Sequence, residues 1–351
     1  MFMVVLGIDA HKRTHTVVAV DEAGRQLGVR VTQATSTAAH LDLLRWAGQF
    51  GPGRVWAVED CRHLSRRLEA DLLAAGEVIV RVPPKLMAGT RRSARTYGKS
   101  DPIDALAVAR AALREPGLPT ARLDGPEREL RLLTDHREDL VAERTRMMNR
   151  LRWHLHELDP GWDPGPRTLT RKKTITAIQA RLDGQAGMVA RLAAELVTRI
   201  AALTSDVNSL EREIAVLIRQ AAPSLLALPG VGDLTAAKIV GETAGAARFK
   251  SRAAYARHNG TAPLPVWSAN QTRHRLSRTG NRQLNCAIHR VAVTQIRCYP
   301  KAQAYLESRL TGGDTRPEAL RALKRKLSDK IYQALLADAA GTATATIRSA
   351  A

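Results

Sequence analysis

Met3-Val4-Val5-Leu6-Gly7-Ile8-Asp9 is a short apolar run that ends on a carboxylate. Its length and branching read as a strand. Outward from it, His15-Thr16-Val17-Val18-Ala19-Val20 is a second β-branched run, Asp21-Glu22-Ala23-Gly24 is a turn signal, and Gln26 to Gln33 alternates as a third strand. Strands joined this closely form an antiparallel meander. A helix is expected over 36–49, capped by Ser36 or Thr37, with Leu41, Leu44 and Trp46 on its apolar side. Arg54-Val55-Trp56-Ala57-Val58 is a fourth strand ending at Glu59, a helix over about 63–75 stops at Gly76, and Val78-Ile79-Val80-Arg81-Val82 is a fifth strand ended by Pro83-Pro84. The order βββαβαβα with right-handed crossovers gives the sheet order 3-2-1-4-5.

In that sheet the first and fourth strands are parallel neighbours. Asp9 and Glu59 therefore leave from adjacent strand ends, on the edge where open α/β sheets bind ligands. Lys99-Ser100-Asp101-Pro102-Ile103-Asp104-Ala105 begins the next helix, with Asp101 as the N-cap and Pro102 as its first residue. Ile103, Leu106, Ala107 and Leu113 follow at helical spacing. The same two carboxylates sit one turn apart, after the positive run of Arg91, Arg92, Arg95 and Lys99. Asp9, Glu59, Asp101 and Asp104 thus form a candidate site of four carboxylates, suited to two hard cations beside a phosphate.

The balance of 54 Lys and Arg against 34 Asp and Glu, a formal charge of +20, points to a polyanionic partner, with nucleic acid the default. Aromatic residues are only 4% of the 351, which disfavours a stacking platform for single strands and favours contacts to the backbone. Three scattered cysteines (Cys61, Cys286 and Cys298) do not make a disulfide framework and fit a reducing cytosol. Cys61-x-His63 and Cys286-x-x-His289 lack the CxxC partner that a zinc site would want. No apolar run has membrane length. An actin-like ATP site would need small residues after Asp9, and Ala10-His11-Lys12-Arg13 is bulky and basic. His11 and His15 have the zincin spacing, but Lys12 stands where the catalytic Glu belongs.

Residues 126–158 form a long charged helix carrying Leu130, Leu133, Leu140, Met147, Leu151, Leu155 and Leu158, broken by the Pro- and Gly-rich stretch 159–166. A second helical region is expected over 174–220. There Ile200, Leu203, Val207, Leu210, Ile214 and Leu217 make a heptad seam that serves either a hairpin with 126–158 or pairing between chains. Leu228-Pro229-Gly230-Val231-Gly232, followed by Ala236, Ala237 and Ile239, resembles the helix-hairpin-helix of DNA repair proteins, in which glycines let backbone N–H groups approach a phosphate. From 251 the chain reads as irregular and basic, through Arg273, Arg275, Arg278 and Arg282. Helices follow at 282–297, 301–310 and 317–337, and the end reads as a frayed tail.

Gly7-Ile8-Asp9-Ala10-His11-Lys12, Val58-Glu59, Lys99-Ser100-Asp101-Pro102-Ile103-Asp104-Ala105, Leu228-Pro229-Gly230-Val231-Gly232 and Gly260-x-x-Pro263…Ser268…Arg278-x-Gly280-Asn281 occur in that order over residues 4–337. Together they resemble the transposases of the insertion-sequence 110 family, the DEDD-type recombinases. The resemblance implies an α/β RuvC-like, ribonuclease H-like domain at 1–125 and a helical coiled-coil middle at 126–220. It further implies a mainly α C-terminal transposase domain with the helix-hairpin-helix at 221–340, and a tail at 341–351. Asp9, Glu59, Asp101 and Asp104 match the acids that hold Mg²⁺, two ions per site. Ser268 matches the serine that attacks DNA and stays covalently linked to it, a weak nucleophile that metal or a carboxylate must activate. Ala269 follows it where the family usually has Gly, and Ser277 and Ser251 are the alternative serines.

The implied partners are double-stranded DNA at the element ends and target, a bridge RNA that pairs with both, and further copies of the chain in dimers and tetramers. The implied setting is the prokaryotic cytoplasm, at the nucleoid. Lys12, Lys85, Arg91, Arg92, Arg95, Lys99, Gly230, Gly232, Arg273, Arg275, Arg278 and Arg282 are the residues expected against nucleic acid. Guide pairing would supply the sequence specificity. A structure-selective RuvC-like endonuclease, with water as the nucleophile, is the alternative activity. A basic scaffold that only bridges DNA is the non-enzymatic one.

Overall fold

The computed structural model describes residues 4–59, 62–82, 86, 100–115, 118, 120–121, 125–268, 271–275 and 280–350. The chain divides into two compact units, Met1–Asp124 with Arg248–Ser251, and Gly125–Ala247 with Arg252–Ala351.

The first unit is a mixed five-stranded sheet with helices on both faces. Its strands are β1 (Val5–Ala10), β2 (Thr14–Val20), β3 (Gln26–Gln33), β4 (Val55–Glu59) and β5 (Ile79–Val82), in the order β3-β2-β1-β4-β5. This is the order that crossover handedness predicts. β1 pairs antiparallel with β2 and parallel with β4, and β4 pairs parallel with β5. Alternation along each strand divides the core. Leu6, Ile8, Val17, Ala19, Trp56 and Val58 pack under α1 (Thr37–Gly48) and α2 (Arg62–Ala74). Val5, Val18, Val20, Ala57 and Val82 pack under α3 (Asp101–Arg114). Burial on both faces explains why Val17, Val18, Ala19 and Val20 are all apolar.

α1 starts as its sequence predicts, with Ser36 Oγ accepting from the Ala39 amide at 3.2 Å. α3 differs by one residue. Ser100 takes the cap position through its backbone, accepting from the Asp104 amide at 3.0 Å, and Asp101 is the first helical residue. Both acids therefore lie inside the first turn, where the helix dipole favours negative charge.

Gly7 decides how α3 lies on the sheet. A Cβ there would stand 2.2 Å from the Ala105 carbonyl oxygen and 2.5 Å from the Ala109 nitrogen. The strand and helix backbones meet with no side chain between them, and Ala105 and Ala109 keep the helix side of the contact thin.

The second unit is mainly helical. α4 (Pro126–Leu158) and α6 (Met188–Ala221) run antiparallel within the chain, with Arg137 donating to Glu211 at 2.5 Å and Arg199 donating to Glu143 at 2.7 Å. The hairpin thus uses the face of α6 that carries Val197, Ile200, Leu203, Val207 and Ile214. The region expected as a helix over 174–220 is two helices, because 183–187 contains Gly184 and Gly187, the latter at φ +108°. α5 (Lys172–Leu182) folds back so that Ile178 and Leu182 cap the cluster of Leu151, Leu155 and Val197.

A short α7 (Pro223–Leu226) turns through Gly230, at φ +78°, into α8 (Asp233–Thr243). Residues 251–275, read as irregular, form α9 (Arg252–His258) and a hairpin of β6 (Leu264–Ser268) with β7 (Gln271–Arg275). α10 (Arg282–Cys298) and α11 (Pro300–Thr311) follow. α12 (Arg316–Ala350) continues through the stretch read as a frayed tail. No described helix is long and apolar enough to cross a membrane.

Gly7→Ala is expected to destabilise the sheet unit by about 1–3 kcal/mol in denaturant unfolding, since backbone must move to admit the methyl. Gly48→Ala, where an added Cβ meets nothing within 4 Å, is the matched control and should be neutral or slightly stabilising.

Candidate metal and nucleic-acid site

Asp9 is the last but one residue of β1, and Glu59 ends β4. The parallel register runs Ile8↔Val58, so the two acids are level on neighbouring strands. Both share strand parity with residues packed under α3, Val5 in β1 and Ala57 in β4. The first turn of α3 brings Asp101 and Asp104 to the same edge. Asp104 is buried at 8% exposure, while the Asp101 side chain is half exposed.

Burial is the largest influence on Asp9 and raises its pKa above the usual carboxylate range. His11 opposes this, and the negative charges of Asp104 and Asp101 push it further up. His11 Nε2 lies 3.0 Å from Asp9 Oδ2 and 3.4 Å from Asp101 Oδ1. Asp9, His11 and Asp101 each offer a donor atom within 4.8 Å of the others. A half-buried carboxylate crowded by two more is the environment that a divalent cation relieves, and the donors are mainly the hard oxygens such ions take. The site therefore fits a metal of the Mg²⁺ or Mn²⁺ kind by its donor chemistry.

Sequence reasoning passed over His11. The signal was available: two residues beyond Asp9, strand alternation returns a side chain to the same face.

The other expected residues fall in different places. Lys12 is exposed on the β1–β2 turn. Lys85, Arg91, Arg92, Arg95, Lys99 and Arg278 lie outside the described residues, as does Ser277. Ser268 ends β6 opposite Gln271, and Arg273 and Arg275 lie along β7. For these three only the backbone is described. Arg282 is exposed in the first turn of α10, and Ser251 is exposed.

Gly230 and Gly232 have separate roles. Gly232 is open, with nothing within 4 Å of an added Cβ. Gly230 is packed against α10, where an added Cβ would come within 3.1 Å of Gln295 and 3.3 Å of the Val291 carbonyl. Gln295 Nε2 also donates to the Pro229 carbonyl at 2.6 Å. One glycine of the motif thus serves helix packing and the other faces open space.

The segment carrying Ser268 is pinned at its base. A Cβ on Gly280 would stand 2.2 Å from the Gly260 nitrogen, so only glycine at 280 permits this approach. The Asn281 amide donates to the His258 carbonyl at 2.6 Å, and Asn281 Nδ2 donates to Glu242 at 2.6 Å. Asn285 Nδ2 donates to the Asn259 carbonyl at 2.7 Å, Asn259 Nδ2 donates to Ser328 Oγ at 2.7 Å, and Lys324 donates to Asn285 Oδ1 at 2.6 Å. Gly260 and Gly280, on either side of the β6–β7 hairpin in sequence, thus meet at one hydrogen-bonded point.

Two family models match the chain. A DEDD-type transposase model of the IS110 family covers residues 6–160, and a model for transposases of the IS116/IS110/IS902 family covers residues 222–307. The uncharacterized 44.8 kDa protein of insertion element IS116 from Streptomyces clavuligerus is 29% identical, over 94% of each chain. The uncharacterized 42 kDa protein of insertion element IS900 from Mycobacterium paratuberculosis is 29% identical, over 98% of each chain. Among solved structures, T. thermophilus RuvC in complex with a Holliday junction substrate is 18% identical with a TM-score of 0.25, covering 31% of this chain and 91% of that one.

The raised pKa of Asp9 gives a stability test. The folded state holds the Asp9 proton more tightly than the unfolded chain does, so ionising Asp9 costs stability. That cost is absent below the ordinary carboxylate pKa and is felt in full above the raised one. Asp9→Asn should therefore raise the metal-free unfolding temperature at pH 7 and leave it unchanged near pH 3, as read by calorimetry. Added Mg²⁺ or Mn²⁺ should stabilise the unaltered protein and not the variant.

Proposed function

The chain belongs to the insertion-sequence 110 family of transposases, enzymes that cleave and rejoin DNA, and from that premise we propose that it does so through Ser268, with Mg²⁺ held by Asp9, Glu59, Asp101 and Asp104. The observation that carries this reading is the crowding of carboxylates where β1 meets the first turn of α3. Asp9 is raised in pKa by burial and by two neighbouring acids, a charge arrangement that a bound cation would relieve. When bound, two such ions would neutralise phosphoryl oxygens and lower the barrier to in-line displacement.

The remaining work falls to the chain's own groups. Asp101 and Asp104, fixed in one helical turn, and Asp9 and Glu59, fixed at strand ends, hold their positions without reorganisation, which favours tight orientation of a scissile phosphate. The serine hydroxyl gives up its proton and forms a phosphorus–Oγ bond as the phosphorus–oxygen bond to one deoxyribose breaks, and the departing deoxyribose oxygen takes up a proton. The ester energy is kept in the protein–DNA link, so rejoining needs no nucleotide triphosphate. The Gly260–Gly280 contact is the anchor for the loop that carries this serine.

The RuvC-like domain at 1–125, the helical middle at 126–220 and the C-terminal domain at 221–340 form the working divisions of the transposase. Lys12, Arg273, Arg275 and Arg282, with the basic segment 85–99 and Arg278, grip phosphate backbones. Gly232, at the open N-terminus of α8, offers the helix-hairpin-helix contact to DNA, while Gly230 supports it from the α10 side. A bridge RNA supplies sequence choice by pairing with donor and target, and two to four copies assemble on the paired DNAs.

A gel assay for a covalent protein–DNA adduct tests this reading. It uses purified protein, Mg²⁺, labelled element-end DNA and RNA transcribed from the element's flanks. An adduct that disappears in Ser268→Ala, and falls at least about 100-fold in Asp9→Asn, is the expected result. Nicked DNA with no adduct in any sample would instead assign water as the nucleophile and make the chain a metal-dependent endonuclease.

A further inference from the structure

The carboxylate site has a nitrogen beside it. His11 follows β1 directly, and its amide donates to the Thr14 carbonyl at 3.1 Å, which closes the β1–β2 turn and fixes the backbone there. Alternation sends its side chain to the face that Asp9 occupies. Its Nε2 is 3.0 Å from Asp9 Oδ2 and 3.4 Å from Asp101 Oδ1.

Those distances have a specific meaning. Two donors in adjacent positions around one six-coordinate ion, each bonded at about 2.1 Å, stand roughly 3.0 Å apart. Both His11 distances come within a few tenths of an ångström of that spacing, the shorter being also a hydrogen bond to Asp9, and the three donor atoms all lie within 4.8 Å of one another. The His11 side chain is 50% exposed, so packing does not hold the ring there. Among the described residues its polar partners are the Asp9 and Asp101 carboxylates. The two other histidines near this end of the sheet, His15 and His40, are both 0% exposed, and each has a ring nitrogen with no hydrogen-bond partner. Neither is grouped with the acids, so His11 is the imidazole within reach of them among the described residues.

Resting on the metal reading given above, we propose that His11 Nε2 is a direct ligand of the ion held by Asp9 and Asp101. The site then carries a nitrogen among its oxygens. Mg²⁺ takes oxygen ligands almost exclusively, whereas imidazole is a good ligand for first-row transition ions. His11 therefore tilts the site toward Mn²⁺ and related ions, and the carboxylates alone supply the affinity for Mg²⁺. The neutral imidazole also limits the negative charge of the site, which keeps it from repelling the phosphate it must receive.

The test uses the full chain and Mn²⁺ alone, with no nucleic acid and no turnover. Electron paramagnetic resonance gives the bound fraction, and spin-echo modulation reads the nuclei bonded to the ion. The expected result is modulation from a directly bonded nitrogen-14 in the unaltered protein, lost in His11→Gln. The variant should bind Mn²⁺ about tenfold more weakly, with a smaller change in Mg²⁺ competition. Labelling histidine with nitrogen-15 should change the modulation pattern in the unaltered protein.

Two results would overturn the assignment, and they are distinguishable. Mn²⁺ bound without nitrogen modulation, and displaced by Asp9→Asn, would remove His11 from the ligand set and leave the carboxylate site intact. Mn²⁺ that fails to bind, or binds equally well to Asp9→Asn and Asp101→Asn, would overturn the carboxylate site and His11 together.

Discussion

A methyl group on Gly7 would collide with the backbone of α3, and the arrangement of the acids depends on that space being empty. The strand and helix approach until the Ala105 carbonyl is 2.2 Å from where a Cβ would be. Ala105 and Ala109 keep the helix side small, so α3 lies directly on β1 and its first turn reaches the end of the strand. Asp101 and Asp104 arrive beside Asp9 as a consequence of this packing. The cost appears in Asp9, whose charged form is disfavoured by burial and by its neighbours. A larger residue at position 7 would lift the helix, ease the crowding and disperse the acids. Close packing and charge crowding are thus one feature.

The helical unit uses the same device at a different place. Gly260 and Gly280 touch through their backbones. Around them Asn259, Asn281, Asn285, Ser328 and Lys324 form hydrogen bonds that close the base of the serine-bearing segment. Buried polar networks of this kind are costly when incomplete and rigid when complete. The role proposed for Ser268 would need such a base, because positioning error is expensive in displacement chemistry. The motif residues before and after Ser268 are therefore explained by the loop's attachment.

Much of the sheet unit was legible in the sequence, since its signals are local. Alternation in 26–33, the turn at Asp21-Glu22-Ala23-Gly24 and the crossover rule led to the strand order that is observed. The placement of Asp9 and Glu59 at level strand ends followed from that order. What escaped reading was set by tertiary contact or by weak local signals. The β6–β7 hairpin has Pro265 within it and charge along Gln271–Arg275, so neither strand announces itself. The break between α5 and α6 is marked by Gly184 and Gly187, and the heptad seam that suggests one long helix begins only at Ile200, beyond it. The helical run to Ala350 was masked by small residues that also suit a tail. His11 was set aside with the zincin spacing, because its importance comes from Asp101, more than eighty residues away in sequence. Ser268 rests on family resemblance alone, and nothing local to it distinguishes it from another loop serine.

If the β1–α3 junction holds a divalent ion, as we propose, the ion sits between Asp9 and Asp101. Anomalous diffraction at the manganese edge, from crystals of the full chain soaked in Mn²⁺, tests it most directly. The expected result is a peak within bonding distance of the Asp9 and Asp101 carboxylates. Manganese bound elsewhere at full occupancy, with no peak between those two side chains, would contradict it.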